Sequence, residues 1–535
     1  MYQDIYEDEG EHAGDVELIA GVYDEENLDY AQLETTVPEP VRNFIIYFHR
    51  CVSEKSLNEI QAAYDQSWPR LTEKFYSSGS WPEAELIAPL VQGDEVFLTL
   101  YREVYFRHIY SRLEPNIEQR FHSYENYCTL FNYILNSEGP VPLELPNQWL
   151  WDMVDEFIYQ FQSFSQWRAQ PEGKSEEEVQ LLQQNPQVWN TYSVLNVLYS
   201  LVQKSAINEQ LIAQATEGQD VTEVAGPYGS LPLYRMLGYF SLIGLVRVHC
   251  LLGDYVLALK TLDHVDLTRR TGFSRVTACH VTTFYYVSFA YLMIGRHADA
   301  VRNFSHILVF MQRARQYNTR SYQYDLMSRK ADQMHALLAI AVALSPARLD
   351  EGVHTTIRDK FGEQTSKIAR GGQEALQAFE SLFNYASPKF ITPNAPSLEA
   401  LPPQVLFDHQ RSIFLAQCRR HLLAPILRSY LRLYTSLGVE KLSTFLDLPA
   451  EELRVQLLNL KMAGRQRCWT SGSLLDGERV TGGDLDFSLD QDVIQIAESK
   501  VGRRYGDWFL RNCSKFEDIA RNLEAHAQNE ECRGR

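Results

Sequence analysis

Apolar residues recur every three or four positions along most of this chain, and that period predicts helices. Almost every segment from Val41 to Phe164 follows it. Two stripes show it most clearly: Ile117, Phe121, Tyr124, Cys128, Phe131 and Leu135, then Trp149, Met153, Phe157, Phe161 and Phe164. Such stripes are usually the buried faces of packed helices, so we interpret them as core. Polar or Gly/Pro-containing stretches at 170–187 and 214–232 are predicted to be loops.

Two similar segments lie 42 residues apart: 253–259 (GDYVLAL) aligns with 295–301 (GRHADAV). Leu262 then matches Phe304, and Val265 matches Ile307. In each copy an apolar helix leads into a glycine, which permits a tight turn, and then into a second helix with a small residue at the crossing. This pattern predicts a degenerate tetratricopeptide-like repeat, whose stacked copies expose long surfaces to partners.

Near residue 434 a different pattern begins. Two short helices are predicted, the second after Pro449, which suits a first helical turn. Their apolar positions are Val439, Leu442, Phe445 and Leu446, then Leu453, Leu457, Leu458 and Leu460. From Leu485 the apolar residues alternate with polar ones, and after a turn at 490–492 the segment 493–497 returns as a second strand. Helix, turn, helix and hairpin predict a winged helix over 434–497, a module that binds nucleic acid or joins protein neighbours.

The predicted fold class is therefore mainly α. Tetratricopeptide-like helical repeats lead into a C-terminal winged helix with a short β-hairpin wing, and a terminal helix follows over Ser499–Ala527. Its apolar positions are Trp508, Phe509, Phe516 and Ile519. Five prolines within 387–403 predict a loop before the winged helix.

Charge and composition add a tail to this picture. The 535 residues are 45% apolar, enough for two to four domains or a solenoid. The formal net charge is −19, and residues 1–40 hold thirteen carboxylates but no Lys or Arg. That segment is predicted to be a disordered acidic tail, which most often only keeps a chain soluble and could also contact a basic partner.

The eight cysteines are scattered and form no C-x-x-C pair, which favours reduced thiols in the cytosol or nucleus. No signal sequence is visible, and no apolar run approaches the roughly eighteen residues of a membrane span. The nearest run, Leu242–Leu252, is interrupted by Arg247 and His249. We expect a soluble, intracellular protein with no membrane partner; of the two compartments, the cytoplasm is the expected one.

No catalytic, cofactor-binding or metal site is predicted. The sequence lacks G-x-x-x-x-G-K-[ST], H-E-x-x-H, G-x-S-x-G and His-x-His. Its fourteen histidines are dispersed, and a lone helical His is usually a structural residue. Acidic pairs such as Asp490 and Asp492 are read as the solvated turn of the hairpin. We therefore expect no enzymatic activity.

Charges also argue against sequence-specific DNA binding. The second helix of the predicted winged helix carries two carboxylates and two cations, and Glu451 and Glu452 lie at the end that would enter a groove. Basic clusters flank the winged helix instead. Their simplest role is to be solvated or paired; the sharper hypothesis is a local contact with ribosomal RNA or an acidic partner. The candidates are Arg411, Arg419, Arg420, Arg503 and Arg504.

Several segments resemble one known family, the subunit L family of eukaryotic translation initiation factor three. They are 469–472 (WTSG), 475–478 (LDGE), 501–509 (VGRRYGDWF), 147–152 (NQWLWD) and 226–231 (GPYGSL). The resemblance extends from about residue 40 to residue 525. It agrees with the predicted architecture, because helical repeats fused to a winged helix are typical of the PCI domain.

On this basis the expected organisation is an acidic disordered tail at 1–40, an N-terminal helical and helical-repeat region at 41–300, and a PCI domain at 301–510. The PCI domain would contain repeats at 301–433 and the winged helix at 434–497, and a C-terminal helix would occupy 499–527.

The resemblance implies a non-catalytic scaffold subunit that supports preinitiation complex assembly on the small (40S) ribosomal subunit and mRNA recruitment. The implied partners are subunit K, other PCI and MPN subunits and the small ribosomal subunit, with RNA contact at most indirect or local. PCI winged helices associate edge to edge and their terminal helices form a bundle. The candidate interface residues are therefore Leu485, Phe487, Leu489, Ile494, Ile496, Trp508 and Phe509.

Two alternatives stay open on the sequence. One is a PCI subunit of the proteasome lid or the COP9 signalosome. The other is a winged-helix DNA-binding regulator, which the neutral second helix disfavours.

Overall fold

The computed structural model describes residues 36–170, 173–215, 221–267, 275–315, 322–392, 403–481 and 485–533. Most of the predicted acidic tail, up to residue 35, lies outside these ranges. The prediction of a mainly helical protein with a small C-terminal sheet is confirmed. The chain divides into two compact units, one with residues up to 137 and 141–146, the other with 138–140 and 147 onward.

The first unit is a helical cluster around aromatic side chains. Its helices are α1 (Glu39–Ser53), α2 (Leu57–Ala62), α3 (Trp68–Phe75), α4 (Ala84–Ile87), α5 (Glu95–Arg112) and α6 (Ile117–Asn136), with a π-helical turn at Ala63–Ser67 and a 3₁₀ turn at Ala88–Val91. Trp68 and Trp81 stack with ring centroids 3.8 Å apart. The indole Nε1 of Trp81 donates to Thr72 Oγ1 at 3.0 Å, so the buried ring keeps a polar partner.

The second unit begins with a long series of helices. They are α7 (Asn147–Ala169), α8 (Glu176–Gln184), α9 (Thr191–Ser205), α10 (Ile207–Ala215), α11 (Val221–Gly229), α12 (Pro232–Leu252), α13 (Tyr255–Lys260), α14 (Thr277–Met293), α15 (His297–Arg315), α16 (Tyr322–Leu344), α17 (Glu351–Arg370), α18 (Gly372–Ala386), α19 (Pro403–Arg419) and α20 (Ala424–Leu431). Helices α8 and α11 occupy stretches predicted as loops. A capping box at Ser175 begins α8 despite its polar composition.

Helix α12 is longer than the apolar run identified in the sequence, because it begins ten residues earlier, at Pro232. Among the described helices it alone has the length and composition to cross a membrane, and it is almost entirely buried here. Arg247 interrupts its apolar surface, and its guanidinium pairs with Asp155 of α7. The helix is thus the central core helix of this unit.

The 42-residue repeat has the same geometry in both copies. Gly253 and Gly295 take φ of 84° and 83° at the ends of α12 and α14. In each copy the glycine N–H donates at 3.2 Å to the carbonyl three residues earlier, that of Cys250 or Leu292. The N–H of the following residue donates at 2.9 Å to the carbonyl five residues earlier, that of His249 or Tyr291. These paired bonds satisfy the last carbonyls of the helix. The matched residues Ala258 and Ala300 are fully buried at the helix crossings.

Helix α19 lies across both repeat turns. Gln410 accepts a hydrogen bond from Tyr255 Oη at 2.7 Å beside the first turn, and Gln417 donates to the carbonyl of Met293 at 3.0 Å beside the second. Seven residues of α-helix span about 10 Å, which is the usual spacing of packed helices. The spacing of the two glutamines on α19 therefore matches the spacing of the two neighbouring repeat turns.

The winged helix follows as β1 (Ser436–Gly438), α21 (Val439–Leu446), α22 (Ala450–Ala463), β4 (Leu485–Asp490) and β5 (Val493–Glu498), with β2 (Arg465–Cys468) and β3 (Glu478–Thr481) between α22 and β4. The sheet order is β1-β5-β4, and Asp490 pairs with Val493 across the predicted turn. Its core includes Leu442, Leu453 and Ile494. Phe445 and Leu458, two of the apolar positions named for these helices, are exposed.

Two further features were absent from the sequence-based prediction or differ from it. Strands β2 and β3 form a separate two-stranded antiparallel sheet. The terminal helix, α23, begins at the predicted residue and extends past Ala527, over Ser499–Arg533.

Candidate interaction surfaces

The β2–β3 hairpin is held against the second repeat turn by Arg296. The guanidinium donates from Nη1 to the carbonyls of Leu474 and Leu475, each at 2.9 Å, and from Nη2 to the carbonyl of Asp476 at 2.9 Å. Tyr291 Oη donates to the Leu474 carbonyl as well, at 2.7 Å. One buried side chain thus satisfies three carbonyls of an irregular loop about 180 residues away in sequence.

Asp299 completes this contact from the first turn of α15. Its carboxylate accepts from Arg296 Nε at 2.8 Å and from Arg302 at 3.1 Å. It also accepts from the backbone N–H of Trp469, at 3.0 and 3.2 Å to its two oxygens. Because Asp299 is 1% exposed, these partners replace the water that the carboxylate loses. We refer to Arg296, Asp299 and the loop 469–476 as the latch.

The same repeat position serves a different purpose in the first copy. There Asp254 takes the place of Arg296 and caps α13 by accepting from the N–H of Leu257 at 3.0 Å. On the hairpin side, Gly477 has φ of 151°, and a Cβ there would lie 2.4 Å from the carbonyl oxygen of Cys468. The latch therefore explains the arginine at the second repeat turn and the glycine in 475–478, a segment that the sequence marked only by resemblance.

Burial within this region also keeps His297 neutral. Its ring lies against that of His421, with centroids 6.1 Å apart. Loss of water, and secondarily the neighbouring His421, lower the pKa of His297 to about 4. A protonated imidazole is thereby avoided at the N-terminus of α15, where the helix dipole would repel it.

Strand β4 is an edge of the winged-helix sheet. The backbone N–H of Ile496 in β5 donates at 2.9 Å to the carbonyl of Thr435, next to β1, and so points away from β4. Phe487 lies opposite Ile496 in β4, and its own backbone N–H and carbonyl therefore point away from β5, toward the outer side of the sheet. Phe487 nevertheless has partners, because Lys461 Nζ donates to its carbonyl and Asp486 accepts from its N–H. The backbone N–H and carbonyl of Leu489, two residues after Phe487, also point away from β5. The edge is thus blocked at its centre and open beside the hairpin turn.

The predicted interface residues fall into two groups. Phe487 and Ile494 are core side chains of the winged helix, and Leu485 and Ile496 pack partly against that core. Leu489, Trp508 and Phe509 are exposed.

An exposed apolar stripe runs along α22 next to this edge. Arg454 pairs with Asp492 in the hairpin turn, and Lys461 pairs with Asp486 at 3.4 Å, so α22 follows the hairpin. Leu458 lies between these two cations on the helix, four residues after one and three before the other. The stripe comprises Val455, Leu458 and Met462, all more than half exposed.

Helix α23 carries more exposed large apolar side chains than any other element of the described chain. Seven of its side chains are more than half exposed: Tyr505, Trp508, Phe509, Leu510, Phe516, Ile519 and Leu523. Five of them follow alternating steps of four and three residues from Tyr505, with Asn512 filling the one polar position. That spacing is the seam of a coiled coil.

The five arginines predicted to contact RNA or an acidic partner differ in their surroundings. Arg411 is paired with Glu380 at 3.2 Å and Asp408 at 2.8 Å. Arg419 and Arg420 are exposed at the end of α19. The side chains of Arg503 and Arg504 lie outside the described part of the chain.

The described residues contain no group of three or more His, Cys, Asp or Glu side chains that could hold a metal ion. The buried thiols of Cys250 and Cys418 have raised pKa values, because burial disfavours the thiolate. Neither is therefore an activated nucleophile.

Known proteins resemble this chain over most of its length. Residues 119–516 match the family described as RNA polymerase I-associated factor PAF67. A Mycosarcoma maydis protein named eukaryotic translation initiation factor 3 subunit L is 56% identical over 91% of this chain and 75% of its own length. Proteins of the same name are 51% identical in Nematostella vectensis and 47% in Homo sapiens, covering 91% and 93% of this chain and 93% and 92% of their own lengths.

The latch predicts a difference between two neighbouring arginines. Arg296→Ala removes the donors to three loop carbonyls and leaves the buried Asp299 carboxylate short of a partner, so we expect about 3–5 kcal/mol of destabilisation. Arg296→Lys keeps the charge but lacks the planar fork, and should lie between the alanine variant and the wild type. Urea unfolding and amide exchange at Trp469 measure both effects.

Arg302→Ala is the matched control. Arg302 pairs with the same carboxylate but is 47% exposed, so its loss should cost less than about 1 kcal/mol. Equal stability of the Arg296→Ala and Arg302→Ala variants would show that the latch is not a structural determinant.

Proposed function

Because this chain belongs to the eukaryotic translation initiation factor 3 subunit L family, we propose that it is a non-catalytic scaffold subunit of that initiation factor. It acts in the cytoplasm, in preinitiation complex assembly on the small ribosomal subunit and in mRNA recruitment. Its neighbours are subunit K and other PCI and MPN subunits. The observation that carries this proposal is the terminal helix α23, whose apolar seam is left uncovered by the rest of the described chain.

The seam of α23 fits a helical bundle. Full burial of a large apolar side chain contributes about 1.5–3 kcal/mol, so Phe509, Phe516, Ile519 and Leu523 together supply a strong driving force for association. Asn512 lies in the seam, where a single polar residue favours one register over others. A partner helix of complementary apolar spacing is therefore the natural occupant.

The winged helix supplies a second contact, made by the open end of β4 and the stripe on α22. A neighbouring strand can bond to the outward backbone groups of Leu489 while apolar side chains cover Leu458 and Met462. Phe487 and Ile494 contribute indirectly, because they hold the hairpin in place from inside the core.

The alternatives receive less support. The relatives carry the name of an initiation factor subunit rather than that of a proteasome lid or signalosome subunit. A DNA-reading role is disfavoured because α22 exposes apolar side chains, and its Arg454 is paired with Glu451 and Asp492.

The terminal helix can be tested by truncation. Ending the chain at Glu498 removes α23 alone and leaves the winged-helix core, whereas ending it near residue 480 also removes β4 and β5. We expect both truncated chains to lose co-purification with the other initiation factor 3 subunits, and only the longer one to keep the amide protection of Leu453 and Leu457. Affinity purification from cells measures the first effect, and hydrogen exchange the second.

A double substitution distinguishes the contribution of the apolar seam from the loss of the whole helix. Phe509→Ser with Phe516→Ser should reduce co-purification at least tenfold, while Tyr192→Ser, at an exposed aromatic in α9, should leave it unchanged. Normal co-purification of the truncated chain ending at Glu498 would refute the assignment of α23.

The edge of β4 gives an independent test. Leu489→Pro removes an outward N–H and spares the sheet's own hydrogen bonds, so the winged helix should remain folded and lose the neighbouring strand. Leu489→Ala shows how much the side chain alone contributes. Ser488→Pro is the contrasting control, because its N–H points into the ladder and its loss should unfold the hairpin. Co-purification of Leu489→Pro at the wild-type level would exclude strand pairing there.

A further inference from the structure

The outer face of the β2–β3 hairpin carries three arginines. Arg467 lies directly opposite Arg479 in the antiparallel register, and Arg465 precedes Arg467 by two residues and so shares its face. All three side chains are exposed. In the described part of the chain, none of them forms an ion pair or a hydrogen bond.

This arrangement opposes the stability of the hairpin. Like charges directly across an antiparallel pair destabilise it, and β2–β3 has few apolar side chains to compensate. A contact with α15 beside the latch fixes which face is outward, because Gln466, on the opposite face, accepts at 2.8 Å from the N–H of Ala298. The contact on the opposite face of the hairpin therefore keeps the three arginine side chains directed toward solvent.

We propose that this face, Arg465, Arg467 and Arg479, binds the phosphates of single-stranded RNA. The planar guanidinium matches a phosphate with two parallel hydrogen bonds. Residues two apart on a strand are separated by about 6.6 Å, so the three cations form a compact cluster that suits a flexible backbone. The site is distinct from Arg411 and Arg419 on α19 and from Arg420 directly after that helix.

Trp469 favours RNA over an acidic peptide. It follows β2 directly, and its half-buried ring lies under the guanidinium of Arg302, whose Cζ is 5.2 Å from the ring centroid. Single-stranded nucleic acids are bound by basic surfaces with aromatic rings on which bases stack. A polyglutamate segment would use the arginines but gain nothing from the ring. The inference does not depend on the scaffold role, because it concerns the isolated chain.

The test uses the full-length chain and a fluorescein-labelled 20-nucleotide oligouridine, with binding followed by fluorescence polarisation between 50 and 200 mM salt. Arg467→Gln with Arg479→Gln should weaken binding at least tenfold. The slope of log K against log salt should become shallower by about 0.7 for each phosphate that the variant no longer binds. The melting temperature should not fall, because the substitutions remove a repulsion.

Arg358→Gln with Arg370→Gln is the control, since it makes the same charge change on exposed positions of α17. A 20-residue polyglutamate peptide is the competing probe. RNA binding that the hairpin variant loses and the control variant keeps supports the proposal. Equal loss in both variants, no binding by the wild type, or polyglutamate binding as tight as RNA binding would overturn it.

Discussion

The buried pair of Arg296 and Asp299 determines how the C-terminal half of this chain is put together. A guanidinium and a carboxylate removed from water need their hydrogen-bonding positions filled, and here the backbone of the loop 469–476 fills them. The loop in turn gains partners for carbonyls that no helix or sheet would satisfy. Each side thus requires the other, and the winged helix is joined to the repeats through a polar contact specific in direction and register.

Because this connection is fixed, the exposed surfaces of the hairpin and the winged helix are held in defined positions. The hairpin is held with its arginines outward, and α22 follows the wing with Leu458 and Met462 uncovered. Helix α23 then leaves the sheet with a heptad-like seam that the described chain does not cover. A rigid frame with uncovered apolar edges is what a subunit of a larger assembly requires, because its partners can bind without first ordering it.

The sequence predicted most of the helices, the repeat and the winged helix, because these depend on local periodicity. The turns at Gly253 and Gly295 are examples, since a glycine after an apolar helix identifies them. Burial was harder to predict: Leu458 has helical spacing but faces outward, and apolar spacing does not distinguish the core from a partner. The hairpin β2–β3 was missed because Arg465, Gln466 and Arg467 show no apolar alternation. The role of Arg296 depends on a loop distant in sequence and could be found only from the structure.

We propose that α23 is an interface element, whereas the latch belongs to the folded subunit itself. Hydrogen exchange of the free chain and of the same chain within the assembled initiation factor 3 complex tests it directly. We predict that amides of residues 505–523 exchange rapidly in the free chain and become strongly protected in the complex, whereas the Trp469 amide is protected in both. Unchanged exchange of residues 505–523 on assembly would show that α23 is not an interface element.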